Sequence, residues 1–278
     1  MTMMLHAANW THAGDVRPEP GRYASPVDIR ERIEACAAAG FGGMGFIFVD
    51  IENALTRYSP GDLRAMFADN GITFLELEVL VDWFHEPAED IDGALRTAEA
   101  IGARQIKAVG DMTGDASIEA MARGFGRTCD RFADLDAKVV IELMQLSNLR
   151  TLERGRAVVE GAGRANGGLL FDSWHIDRCG MALDEIAALP AGIFQAIELC
   201  GVPEERAADI YAEMVDLRLQ PDEGHADNAR LVRAARAAGF DGPWGIEIVS
   251  AAHRALPVAE AAKRSADAVR AVLERASV

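Results

Sequence analysis

The sequence predicts an α/β protein built as a single (β/α)8 TIM barrel, on three observations. An Ala-rich helical stretch, a glycine and a short apolar run recur together, as in "EACAAAGFGGMGFIF", "FADNGITFLELEV", "AEAIGARQIKAV", "VEGAGRANGGLLFD" and "RAAGFDGPWGIEIV". The unit repeats about every 30 residues, the spacing of parallel strands joined by crossover helices, and such strands are continuous apolar runs because both their faces are buried. Eight strand candidates and eight helix candidates then fill one barrel with nothing left over.

The strand candidates lie near 3–8, 43–48, 73–79, 104–109, 138–143, 168–172, 194–199 and 243–248. The helix candidates lie between and after them, near 27–39, 60–69, 89–101, 116–134, 147–162, 182–188, 228–238 and 257–274. Gly40, Gly71, Gly102, Gly163 and Gly239 stand where a left-handed residue ends a helix before the chain enters a strand. A doubly wound open sheet would call for a glycine-rich phosphate loop after an early strand, and neither GxGxxG nor GxxxxGK[ST] occurs. Residues 1–278 therefore read as one domain, with one long irregular connection at 201–227. A connection of that length predicts a lid over the barrel mouth, and its Ile210, Tyr211 and Met214 are candidates for packing on a second copy in a homo-oligomer.

Half of the 278 residues are hydrophobic, enough for a large core, and the formal net charge is -16. That charge repels a nucleic-acid backbone and an anionic membrane surface, which leaves a small molecule as the expected partner. Cys36, Cys129, Cys179 and Cys200 are widely spaced, with no CxxC pair, and read as reduced thiols of a cytoplasmic protein. No stretch reaches the roughly 20 apolar residues that span a bilayer, and "MTMMLHAANW" lacks the pattern of a secretion signal.

In a barrel of this kind, chemistry gathers where the strands end. The last four strand candidates each end on an acid: Glu142 in "VVIEL", Asp172 in "LLFD", Glu198 in "AIEL" and Glu247 in "WGIEI". Each is flanked by apolar residues, and several buried like charges are costly unless something neutralises them. Four converging carboxylates call for a cation, and hard oxygen ligands suit Mg2+, Mn2+ or Co2+ better than a structural zinc. A single such acid is commonly just a helix cap. Gln195 shares the strand of Glu198 and is the alternative to it there.

Around these acids, His175 follows Asp172 by three residues and is placed to donate to a substrate hydroxyl or carbonyl. Arg178 and Arg218 are candidates for binding an anionic or polyhydroxylated ligand. Lys107 and His6 are candidates to line the pocket, and one of Glu76 and Glu78 in "FLELEV" is expected to face the barrel interior.

The segments "IELMQLSNLRTL", "VEGAGRANGGLLFDSWHIDRCG", "RLQPDEGHAD" and "AAGFDGPWGIEIVS" resemble the xylose-isomerase-like barrel superfamily, in particular its sugar phosphate isomerase/epimerase branch. The likeness is specific in the second half and rests on βα rhythm alone in the first. It implies that Glu142, Asp172, Glu198 and Glu247 bind one divalent metal ion. It also implies that His175 of the D-x-x-H motif contacts substrate and that Arg218 matches the arginine before a P-G-x-G segment. Two positions depart from the pattern: Glu198 stands where His or Gln is common, and Gly201 where Asp is frequent.

The most economical chemistry for such a site is proton abstraction beside a carbonyl, with Glu142 and Glu247 as the catalytic pair on two faces of an enediolate. The expected enzyme is a metal-dependent isomerase or epimerase of a keto-sugar or related polyol. The alternative is a dehydratase or lyase of a cyclic keto-polyol of inosose, 3-keto-glycoside or 3-dehydroshikimate type. An abasic-site endonuclease fits poorly with six histidines and a charge of -16. The full carboxylate set argues against a non-catalytic sugar-binding barrel.

Overall fold

Eight parallel strands pair in sequence order and close on themselves, β8 hydrogen-bonding back to β1. They are β1 (Leu5–Ala7), β2 (Gly43–Ile47), β3 (Phe74–Leu80), β4 (Gln105–Val109), β5 (Lys138–Glu142), β6 (Gly167–Asp172), β7 (Phe194–Leu199) and β8 (Trp244–Ile246). The computed structural model describes residues 3–19, 21–86 and 91–277, so residues 89 and 90 of one helix candidate lie outside it. Every strand candidate holds a strand, which makes the molecule a (β/α)8 barrel as its apolar runs predict.

The helices of the outer ring match the candidates closely, with one shift. The helix expected from 147 runs Leu152–Ala162, because Thr151 caps it by accepting from Arg154 N, and residues 147–151 form a loop at the barrel mouth instead. All five glycines named above have positive φ, Gly40 at 89° taking its helix into the turn before β2. Short helices that sequence patterning did not show follow several strands, among them Asn9–His12, Phe48–Leu55, Ser173–Cys179 and Ala251–Arg254. They are too short to establish a 3.6-residue period.

The main core lies between the strands and the helical ring. Inside the barrel the two halves differ. Val140, Leu170 and Ala196 form a separate apolar plug beneath β5–β7, and the residue two places on in each strand is Glu142, Asp172 or Glu198. Period-two alternation thus stacks the carboxylates directly on that plug. On the opposite side, the buried His6, Glu76 and Gln105 fill the corresponding level.

The connection 201–227 is built rather than irregular. It carries the helix Ile210–Asp216, capped by Asp209, and is held by bridges Gly201↔Leu219, Val202↔Gly224 and Leu217↔Ser250. Gly224 is required there: at φ 76° an added Cβ would lie 2.1 Å from the carbonyl oxygen of Val202. Ile210, Tyr211 and Met214, expected as exposed contacts for a second copy, instead pack on this chain's own core, Met214 buried and the other two partly so. Among the described residues, no helix is long and apolar enough to cross a membrane, and all four cysteines are unpaired.

Candidate active site

One oxygen each from Glu142, Asp172, Glu198 and Glu247 lies within 4.8 Å of the others, and all four side chains are buried. Strand geometry is the cause: Glu142 and Asp172 end their strands, Glu198 pairs in register with Asp172, and Glu247 follows β8 directly. Gln195, the alternative on β7, points away and donates to Gly192 O on the outside of the barrel.

Two cations share this acidic floor. Lys107 Nζ, at the barrel centre, lies 2.6 Å from Glu198, 2.8 Å from Glu78 and 3.1 Å from Glu247. Burial opposes its charge, but Glu198, Glu247 and Glu78 outweigh that and hold the ammonium strongly protonated. Arg218 Nη1 lies 2.6 Å from Asp172 and 3.0 Å from Glu247, and burial is likewise outweighed by these acids. Among the described residues, five carboxyl groups therefore face two cations, an excess of acid over base. Its effect is visible at Glu142, which burial pushes up to about 8, with Glu247 and Asp172 adding and Lys107 opposing.

The donor set fits a divalent cation. Lys107 approaches Glu198 off the direction of a hydrogen bond, so both Glu198 oxygens are buried without a hydrogen-bond partner. Burial, with Glu247 adding and Lys107 opposing, holds the Glu198 carboxyl well above the ordinary carboxylate range, and a cation among the four carboxylates would remove the cost of ionising it.

His175 is uncharged, because burial and then Arg218 hold its pKa far below the ordinary value. Its Nδ1 accepts from Gln145 N at 3.2 Å, so the single proton of the neutral ring belongs on Nε2. Nε2 lies 3.4 Å from Glu142 and faces the cleft as a donor. Arg218 Nη2, also 3.4 Å away, is then a neighbour of that nitrogen and not its hydrogen-bond donor.

Both Glu76 and Glu78 point inward, where one was expected, since residues two apart in a strand share a face. Gly45 on β2 makes this possible: an added Cβ would meet Glu78 Oε1 at 2.9 Å and Glu76 Oε1 at 3.1 Å. Glu78 Oε1 accepts from Asn9 N, and Asn9 Oδ1 accepts from Arg32, itself buried and paired with Asp50. Sequence reasoning missed Asn9, Arg32 and Gly45 because only the folded chain sets Asn9, the helix Ile29–Ala39 and β2 against Glu78 of β3. His6 lies lower, 3.8 Å from Glu76, outside the cleft.

Arg178 is a correction to the expected substrate contacts. Its guanidinium points away from the cleft, donating to Glu213 and to the carbonyl of Pro203 at 2.8 Å. Glu213 is fully buried and also accepts from Trp174 Nε1 at 3.1 Å. Arg178 thus fastens the 201–227 segment to the helix that carries His175. Tyr211, Met214 and Arg218 of that segment line the cleft together with Lys107, Glu142, His175 and Glu247.

A family model described as xylose isomerase-like TIM barrel matches residues 33–272. The chain belongs to the xylose isomerase-like TIM barrel family. Among relatives of this family barrel, a 3-dehydroshikimate dehydratase of Pseudomonas aeruginosa is 27% identical over 245 residues, 82% of this chain. The chain spans only 37% of that relative's length. The IolI protein with a bound zinc atom superposes with a TM-score of 0.83 at 18% identity, covering 98% of both chains. A D-allulose 3-epimerase from Methylomonas sp. does so with a TM-score of 0.69 at 16% identity, again over 98% of both. At these identities the two structures share the barrel fold with this xylose isomerase-like chain.

Proposed function

We propose that the protein is a divalent-metal-dependent isomerase or epimerase that moves a proton beside the carbonyl of a keto-sugar or related polyol. The observation that carries this reading is the convergence of four buried carboxylates within 4.8 Å at the mouth of the barrel. Glu142, Asp172, Glu198 and Glu247 would hold one Mn2+, Mg2+ or Co2+ ion, whose charge, when bound, stabilises negative charge developing on substrate oxygens.

The chain's own groups supply the rest. Glu142 and Glu247 come from β5 and β8, separated by two strands, and flank the space above the floor. Glu247 is held by two cations, whereas Glu142 faces the neutral ring of His175. One carboxylate removes the proton and the other returns it, a division of labour that suits two acids in unlike surroundings. His175 Nε2–H, Arg218 and Lys107 orient the substrate's oxygens. Return of the proton to the same carbon from the other face is epimerisation, and return to the neighbouring carbon is isomerisation.

A second reading is a dehydratase of a cyclic keto-polyol, favoured by the 27% identical relative. It uses the same first step and then expels a β-hydroxyl. Incubation of Mn2+-loaded protein with ketoses, inososes, 3-keto-glycosides and 3-dehydroshikimate in D2O separates the two. Deuterium beside the carbonyl of recovered substrate or its isomer supports the first, and loss of water with a new conjugated double bond supports the second. Neither exchange nor product with any of them, under Mg2+, Mn2+ or Co2+, contradicts both.

A further inference from the structure

We propose that the substrate carries an apolar group of aromatic-ring size beside its reacting polyol, and that the outer half of the cleft is the subsite for that group. The inference rests on the proposed function for the reacting end only. The cleft has a volume of about 560 Å3, within the range that encloses drug-sized ligands. Its chemistry is split by depth. The floor is charged, formed by Glu78, Lys107, Glu142, His175, Arg218 and Glu247. The rim is apolar, formed by the half-buried or exposed Trp10, Phe48, Val81, Met112 and Met144, which follow five different strands.

Few polar groups on the rim are free to replace water around a hydroxylated tail. Tyr211 donates its hydroxyl to Pro18 O at 2.5 Å, which leaves Tyr23, the Trp10 indole nitrogen and Glu52. Sugar hydroxyls placed there would find only these three side-chain partners in exchange for water, whereas an apolar ring gives up no hydrogen bonds. Val81 and Met112 are each 51% exposed, apolar surface that a bound ring would remove from water. Trp10 and Tyr23 meet edge to face at 6.4 Å, and Met112 and Met144 add polarisable sulfur, a lining suited to a flat aromatic group. Because the rim and the carboxylate floor belong to one cavity, the apolar group arrives on the same molecule as the reacting polyol.

Methyl and phenyl β-D-glucopyranoside, unreactive probes differing only in that group, test the subsite by calorimetry on the full Mn2+-loaded chain. Trp10 emission, taken as the part of the fluorescence change that Trp10→Ala abolishes, gives a second readout, because Trp174 packs against Arg218 and His175 at the floor. The phenyl glycoside is expected to bind about tenfold tighter and to change the Trp10 emission. Trp10→Ala, and Val81→Asp at a position folding does not need, should each bring the two glycosides to within about twofold. Equal affinities, no binding of the phenyl glycoside, or a preference that survives both substitutions would overturn the proposal. Preferential phenyl binding without proton exchange on any ketone would leave the subsite standing and remove the proton-transfer reading; exchange without the preference would do the reverse.

Discussion

Asp172 Oδ1 accepts the backbone N–H of His175 at 2.9 Å, while Oδ2 of the same carboxylate lies 2.6 Å from Arg218 at the acidic floor. One side chain is thus the N-cap of the helix that carries His175 and one of the four clustered carboxylates that could hold a metal ion. Capping and a place in the acidic cluster coexist because they use different oxygens.

Asp172→Asn should therefore separate the two roles. The amide oxygen keeps the cap on the helix Ser173–Cys179, while loss of the charge opposite buried Arg218 should lower the melting temperature without metal. Loss of the charge should weaken Mn2+ binding at least ~10-fold by calorimetry. Asp172→Ala should lose the cap as well, at about 1 kcal/mol. Unchanged Mn2+ affinity in the Asn variant would remove Asp172 from the ligand set.

Glu76 predicts a pH effect on stability. Burial pushes its carboxyl up to about 7, with Lys107 opposing and Glu78 adding. A raised folded-state pKa means that the neutral form is favoured by folding. The stabilisation is complete below the unfolded value of about 4.3 and is lost as pH rises through about 7. Glu76→Gln, which stays neutral and keeps an acceptor for Gln105, should raise the melting temperature at pH 8 and leave it nearly unchanged at pH 5. Calorimetric scans giving equal shifts at both pH values would contradict this.

Arg178→Gln should loosen the 201–227 segment rather than the substrate. Glu213 would be left buried without its guanidinium partner, a change that costs about 3–5 kcal/mol when a buried pair is broken. Limited proteolysis within 203–209 should speed up, and KM should change less than stability. A large rise in KM at unchanged stability would return Arg178 to the substrate site.

The strands and the four carboxylates were legible because a buried parallel strand is a plain apolar run and an acid closing it stands out. Glu78 was half legible: one of Glu76 and Glu78 was expected to face the interior, whereas both do, and its partner Lys107 comes from another strand. The role of Arg178 was not legible, since Glu213 lies 35 residues away and the bond exists only once the connection folds back over the helix Ser173–Cys179. The apolar rim escaped notice for the same reason, being assembled one residue at a time from separate loops.

The most direct test of the central claim is proton exchange in the two glutamate variants, measured by mass and NMR on a turned-over ketone recovered from D2O. With Glu142 and Glu247 as the acid/base pair, Glu142→Gln and Glu247→Gln should each lower turnover by roughly 10²–10⁴-fold. Each variant should lose deuterium incorporation from the face it serves, and Mn2+ affinity should fall less than activity. Full exchange and turnover in both variants would contradict the account, leaving the two carboxylates as metal ligands only.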